Sequence, residues 1–92
     1  MKDSVLISMA KILKAIGNMK RLEILYHLKG KELNVGELQE LVNLSQSALL
    51  QHLALLREEE IVKTRRSAQT IFYSIQDNSV IKIMEFLETV FD

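Results

Sequence analysis

The sequence predicts a mainly α-helical domain that carries one β-hairpin near its C-terminal end. Three observations lead there. Apolar residues recur three and four apart in five separate stretches, the mark of helices with one inward stripe. Beyond Glu60 the period drops to two. Between them, the four residues Val42–Ser45 join two of the helices too tightly for anything but a turn. At 92 residues the chain fits one domain with a modest core.

In order, residues 4–16 form a first helix whose stripe is Val5, Met9, Ile12, Leu13 and Ile16, widened by Leu6, Ile7 and Ala10. Lys11 and Lys14 mark its polar side, and Gly17 stops it. Asn18 caps a second helix over 19–29, which turns Leu22, Leu25 and Leu28 inward with Ile24 beside them; Gly30 ends it. Asn34, with Glu37 three residues on, has the form of a capping box for a short third helix. Val35, Leu38, Leu41 and Val42 supply that helix's apolar contacts.

Ser45 caps the fourth helix. Leu49, Leu53 and Leu56 point inward with Ala48 beside them, while Gln46, Ser47, Leu50, Gln51 and Arg57 face out and His52 lies toward the edge. That outward face is poor in charge and rich in groups that both donate and accept. It suits the floor of a DNA major groove, where base edges present a mixed pattern; a solvated, uncharged helix face is the plainer alternative. Residues 61–66 and 70–75 then alternate as strands joined by Ser67, Ala68 and Gln69, and Lys63, Arg65 and Arg66 concentrate positive charge on the hairpin. Asp77 or Asn78 caps a last helix over 79–91, with Val80, Ile83, Met84, Leu87, Val90 and Phe91 as its stripe and Ile81 and Phe86 outside the centre. The two terminal helices are apolar around more than half their girth. One small core cannot cover both, so a two-fold dimer is expected through 4–16 and 79–91.

Composition excludes several classes. There is no Cys and no Pro, so disulfides, thiolate metal sites and cysteine nucleophiles are absent. No Gly-rich phosphate loop occurs, and the two His have no acid or nucleophile at useful spacing, so an enzyme is not expected. No apolar run approaches the roughly 20 residues of a membrane span and Met1–Ser4 does not begin a signal peptide, which makes the cytoplasm the expected compartment. The formal net charge is zero, which by itself argues against a nucleic-acid partner. Its distribution argues the other way: residues 1–31, 32–60, 61–76 and 77–92 carry +5, −5, +3 and −3. A chain so segregated can present one positive surface while neutral as a whole.

The order helix, helix, helix, helix, hairpin, helix is that of a winged helix-turn-helix, with the helix-turn-helix at 35–57 and the wing at 61–75. The segments ILKAIGNMKRLEILYHL and ELNVGELQELVNLSQSALLQHLALLREEEIVKTRRSAQTIFYSI resemble the ArsR/SmtB family of bacterial dimeric repressors over residues 10–90 or so. LSQSALLQHLALLR is close to that family's signature, and VGELQELVNLSQSALLQHL is most similar to its HlyU and BigR-type branch. The resemblance implies a homodimer built on the first and last helices. It places each recognition helix in a major groove of double-stranded DNA and each wing along an adjacent backbone or minor groove. Gln46, Ser47, Gln51 and His52 match the family's DNA-facing helix, Ser45 its cap, and Arg65, Arg66 and Gln69 its wing.

On that footing Gln51 can bond bidentately to adenine, Gln46 or Ser47 can reach a base or phosphate, and the arginines neutralise phosphates or enter a narrow minor groove. For His52 an orienting or packing role competes with contact to DNA. Leu50 replaces a small polar residue usual in the family; a thymine methyl, local packing or weakened binding are the alternatives. Glu60 and Ala68 stand where the family often has Gly. The family's soft-metal site needs cysteines in a pattern resembling ELCVCDL, and here Asn34 and Gly36 occupy those positions. Zinc sensors need Asp, His, His and Glu on the last helix, which here has no His; persulfide sensors need two cysteines. No metal or other cofactor is therefore expected. An unidentified regulatory ligand or protein stays compatible with the sequence, as does a module that binds only proteins through its wide apolar helices.

Overall fold

Helices in this chain start where the sequence supplies a side-chain acceptor for an orphan amide. The computed structural model describes residues 1–92. In chain order it contains α1 (Asp3–Ile16), α2 (Met19–Leu28), β1 (Leu33–Asn34), α3 (Val35–Leu41), α4 (Gln46–Glu58), β2 (Val62–Ser67), β3 (Thr70–Ile75) and α5 (Asn78–Phe91). Asn18 accepts from the amides of Lys20 and Arg21. Ser45 accepts from Ala48, and Asp77 from Ser79. At α3 the capping box is complete: Asn34 accepts from the Glu37 amide at 2.8 Å, and the Glu37 carboxylate accepts from the Asn34 amide at 2.9 Å. Only α1 begins without a side-chain cap, at Lys2.

The mainly helical winged fold is as expected, with one strand more. β1 pairs antiparallel with β3, Leu33 opposite Tyr73 and Asn34 opposite Phe72, so the hairpin is part of a three-stranded sheet in the order β1-β3-β2. The wing turn is also tighter than expected. Ser67 belongs to β2 and pairs with Thr70, which leaves only Ala68 and Gln69 at the tip. Ala68 has φ +56°, a region where glycine is the usual occupant.

The core is wholly apolar. Ile24, Leu25 and Leu28 of α2, Leu38 of α3, Leu49, Leu53 and Leu56 of α4, Ile61, Val62 and Val80 all have essentially no exposed surface. Each such side chain contributes about 1.5–3 kcal/mol by leaving water. Ile24, expected only beside the inward stripe of α2, is at its centre, and Leu22 is half-buried. Leu41, expected among the apolar contacts of α3, is exposed instead. The helix stops after it, at Val42, which is buried in its place.

α4 ends in a Schellman motif. The Ile61 amide donates to Leu56 O and the Glu60 amide to Arg57 O, and the side chains of Ile61 and Leu56 are both buried. This puts Glu60 at φ +59°, so the missing glycine is felt where the sequence flagged it. Gly17 works differently. Its φ is −77°, and it is small because a Cβ there would lie 2.8 Å from Leu13 O.

Candidate nucleic-acid interface

The buried stripe of α4 fixes what the helix shows outside. With Leu49, Leu53 and Leu56 fully buried, the 100° step per residue places Ser47, Gln51, Ala54 and Glu58 along the centre of the opposite face. Gln46, Leu50 and Arg57 flank it on one side, and His52, Ala48 and Leu55 on the other. Ser45, Gln46, Ser47, Leu50 and Gln51 are exposed; His52 is half-buried. The uncharged donors and acceptors thus occupy the N-terminal half of α4, the part of a recognition helix that meets base edges. Arg57 and Glu58 come a turn or more later.

His52 is not simply presented outward. Its Nδ1 lies 3.5 Å from Nη1 of Arg21 on α2. Burial first, and the adjacent guanidinium second, hold its pKa below the ordinary histidine range, which favours the neutral ring. Arg21 is itself held by the end of α1: its Nε donates to Ala15 O and its Nη2 to Lys14 O. Nothing in the sequence pattern singled out Arg21 beyond its place on a polar face.

The wing splits its cations. Alternation along β2 puts Lys63 and Arg65 on one face and Arg66 on the other. The Arg65 Nε lies 3.0 and 3.1 Å from the two carboxylate oxygens of Glu32, and its guanidinium sits 4.9 Å from the centre of the Phe72 ring. The hydrogen bond from Arg65, more than the charge of Arg65 or Lys63, holds the Glu32 carboxyl below its ordinary range. Glu32 hence occupies the cation expected to meet phosphate. Sequence reasoning missed it because the residue only reaches the sheet through β1. Arg66 bends back to donate to Ala68 O, and Gln69 stands exposed at the tip. Lys63 is exposed, and it makes no ion pair.

The family model described as bacterial regulatory protein, arsR family, matches residues 18–64, from the cap of α2 into β2. The chain belongs to the arsR family. Among arsR-family and related proteins, it is 48% identical over 80 residues to the transcriptional activator HlyU of Vibrio cholerae, covering 87% of this chain and 74% of that one. It is 49% identical over 82 residues to the nodulation protein NolR of Rhizobium meliloti, covering 89% and 67%. The reduced HlyU of Vibrio cholerae superposes with a TM-score of 0.88 at 43% identity, covering 96% of this chain and 93% of the other. The transcriptional repressor BigR of Xylella fastidiosa superposes equally well, 0.88, at 31% identity over 100% and 98%. The fold is the winged helix-turn-helix of these regulators.

Within this arsR-family chain, Asn34 has a structural task. Asn34 is the N-cap of α3 and part of β1, its side-chain oxygen engaged by the Glu37 amide. No helix is long and apolar enough to cross a membrane. The terminal helices leave much apolar surface bare: Val5, Leu6, Ile7, Met9 and Leu13 on α1, and Phe86, Leu87, Val90 and Phe91 on α5. An apolar groove of about 520 Å³ also runs between α2 and α5, over Met19, Leu22, Tyr26, Met84, Leu87 and Phe91.

Proposed function

We propose that this protein is a homodimeric transcription regulator that reads an imperfect inverted repeat in double-stranded DNA. The observation that carries the reading is α4 itself. Its inner stripe is completely buried, while Gln46, Ser47, Leu50 and Gln51 stand clear of the core with nothing in the chain to bond. In the reading, Gln51 addresses adenine through two hydrogen bonds of its side-chain amide, Leu50 meets a thymine methyl, and Gln46 and Ser47 reach bases or phosphates. Lys63, Arg65, Arg66 and Gln69 approach the backbone beside the groove. Dimerisation through 4–16 and 79–91 covers the bare apolar faces and sets the two α4 helices about one helical turn of DNA apart. Regulation requires neither the family's cysteines nor its zinc ligands. Its place is the bacterial cytoplasm, on the nucleoid when bound.

The test is selection of bound fragments from a genomic library, followed by titration of the recovered duplex at several salt concentrations. The reading requires steep weakening with salt and loss of preference for the selected site in Gln51→Ala. Retention of no fragment, or an affinity indifferent to both salt and Gln51→Ala, overturns it in favour of a winged helix that binds only proteins.

A further inference from the structure

We propose that Arg21 is a specificity-positioning residue: it fixes His52 as the Nε2–H tautomer, so that α4 offers the groove a hydrogen-bond donor there. The proposal rests on the DNA-reading role of α4, and adds to it a residue that touches no base.

The polarity of the contact decides the tautomer. A guanidinium has five N–H donors and no acceptor. The imidazole nitrogen 3.5 Å from Arg21 Nη1 is Nδ1, so that nitrogen must hold a lone pair and the ring proton of the neutral form must sit on Nε2. Nε2 has no partner within the chain. No side-chain nitrogen or oxygen is buried unpartnered, so Nε2 reaches solvent from a half-buried ring. Its position, one residue beyond Gln51 and on the Ala48 side of α4, makes it a donor at the rim of the reading face. There it suits O6 or N7 of guanine, N7 of adenine, or O4 of thymine. A cytosine amino group, which also donates, would be rejected.

Arg21 can hold this role because it is immobilised from behind. Its Nε and Nη2 are taken up by Ala15 O and Lys14 O, two carbonyls at the C-terminal end of α1, where the helix dipole favours a cation. Its own backbone amide is bonded to the Asn18 cap. One side chain thereby links the end of α1, the start of α2 and the ring on α4. The orientation of His52 is referenced to α1, the same helix that presents the bare apolar face.

Long-range proton–nitrogen correlation of the imidazoles tests this without DNA, in uniformly ¹⁵N-labelled protein at mildly alkaline pH. His27→Gln assigns the two sets of signals. His52 must show an Nε2–H pattern, with a deprotonated Nδ1. In Arg21→Met it must move toward an equilibrium of both tautomers, and Arg21→Lys, which restores one cationic donor, must recover it in part. On the selected duplex, Arg21→Met must lower discrimination at one base pair by about three- to tenfold, as expected for one hydrogen bond. His52→Phe must lower it at the same pair, and the double variant must lose no more than either alone. An Nδ1–H pattern in the unaltered protein, or a tautomer indifferent to Arg21→Met and Arg21→Lys, overturns the proposal while leaving DNA binding intact. Should Arg21→Met fail to fold, the pattern of the unaltered protein and Arg21→Lys decide it. Loss of all sequence preference in the unaltered protein instead overturns the underlying DNA reading.

Discussion

Replacing Glu32 with Gln should strengthen binding to DNA. In the free protein, Nε of Arg65 lies 3.0 and 3.1 Å from the two Glu32 oxygens, while the guanidinium also rests on Phe72. Phosphate must compete with that carboxylate for the guanidinium, and the carboxylate's own charge repels the backbone. Gln keeps the shape and removes both oppositions. Each phosphate newly neutralised adds about 0.9 to the slope of log affinity against log salt concentration. Two wings in a dimer add at most about 1.8, so a fourfold drop in salt magnifies the gain over the unaltered protein by up to about twelvefold. Fluorescence anisotropy of a labelled operator, read at four salt concentrations, measures both quantities. Arg65→Ala in the Glu32→Gln background must return the slope to or below its original value. An affinity that falls in Glu32→Gln, or one unchanged at every salt concentration, refutes the idea that Glu32 competes with DNA for this cation.

Three further outcomes follow from the same structure. Leu13 and Val90 are 54% and 57% exposed in the single chain, so the fold does not need them; Leu13→Glu with Val90→Glu should leave the circular dichroism intact, yield a monomer in sedimentation, and abolish tight operator binding. A monomeric unaltered protein would sink the dimer. Glu60→Gly should stabilise by about 0.5–1 kcal/mol, because φ +59° at the Schellman position costs a side chain more than glycine's extra unfolded-state freedom; a lower urea midpoint refutes that balance. His52 titrates below its ordinary range when folded, so the unfolded chain binds more protons near that range. Stability from this residue is therefore present above about pH 6.5 and lost as pH falls toward the lowered folded value. Urea midpoints at pH 5.5 and 7.5 should differ less in His52→Gln than in the unaltered chain.

What the sequence disclosed and what it withheld divide along a physical line. Caps are local: Asn18, Asn34, Ser45 and Asp77 each bond amides two or three residues away, so their helices could be read from short windows. The buried stripe of α4 is likewise a matter of period. β1 is two residues long and has no period to detect; its existence depends on Tyr73 and Phe72, nearly forty residues distant. The sequence therefore shows of Glu32 only its charge, and gives no sign that Arg65 has a partner. The polar-face position of Arg21 likewise gives no sign of its three partners on α1 and α4. Leu41 looked like core by its spacing, but the helix turns out of the core before it is covered.

The strand order leaves β2 as an open margin of the sheet, six residues long, while on the far side β1 covers two residues of β3. An unprotected margin of that length invites a second molecule to zip onto it and start a chain of such unions. Lys63, Arg65 and Arg66 stand along it, so two such margins meeting would bring six cations together. The charges proposed to meet the DNA backbone thereby also keep the wing from polymerising with itself. Stripping them to study DNA contact would expose the protein to aggregation for a reason unrelated to recognition.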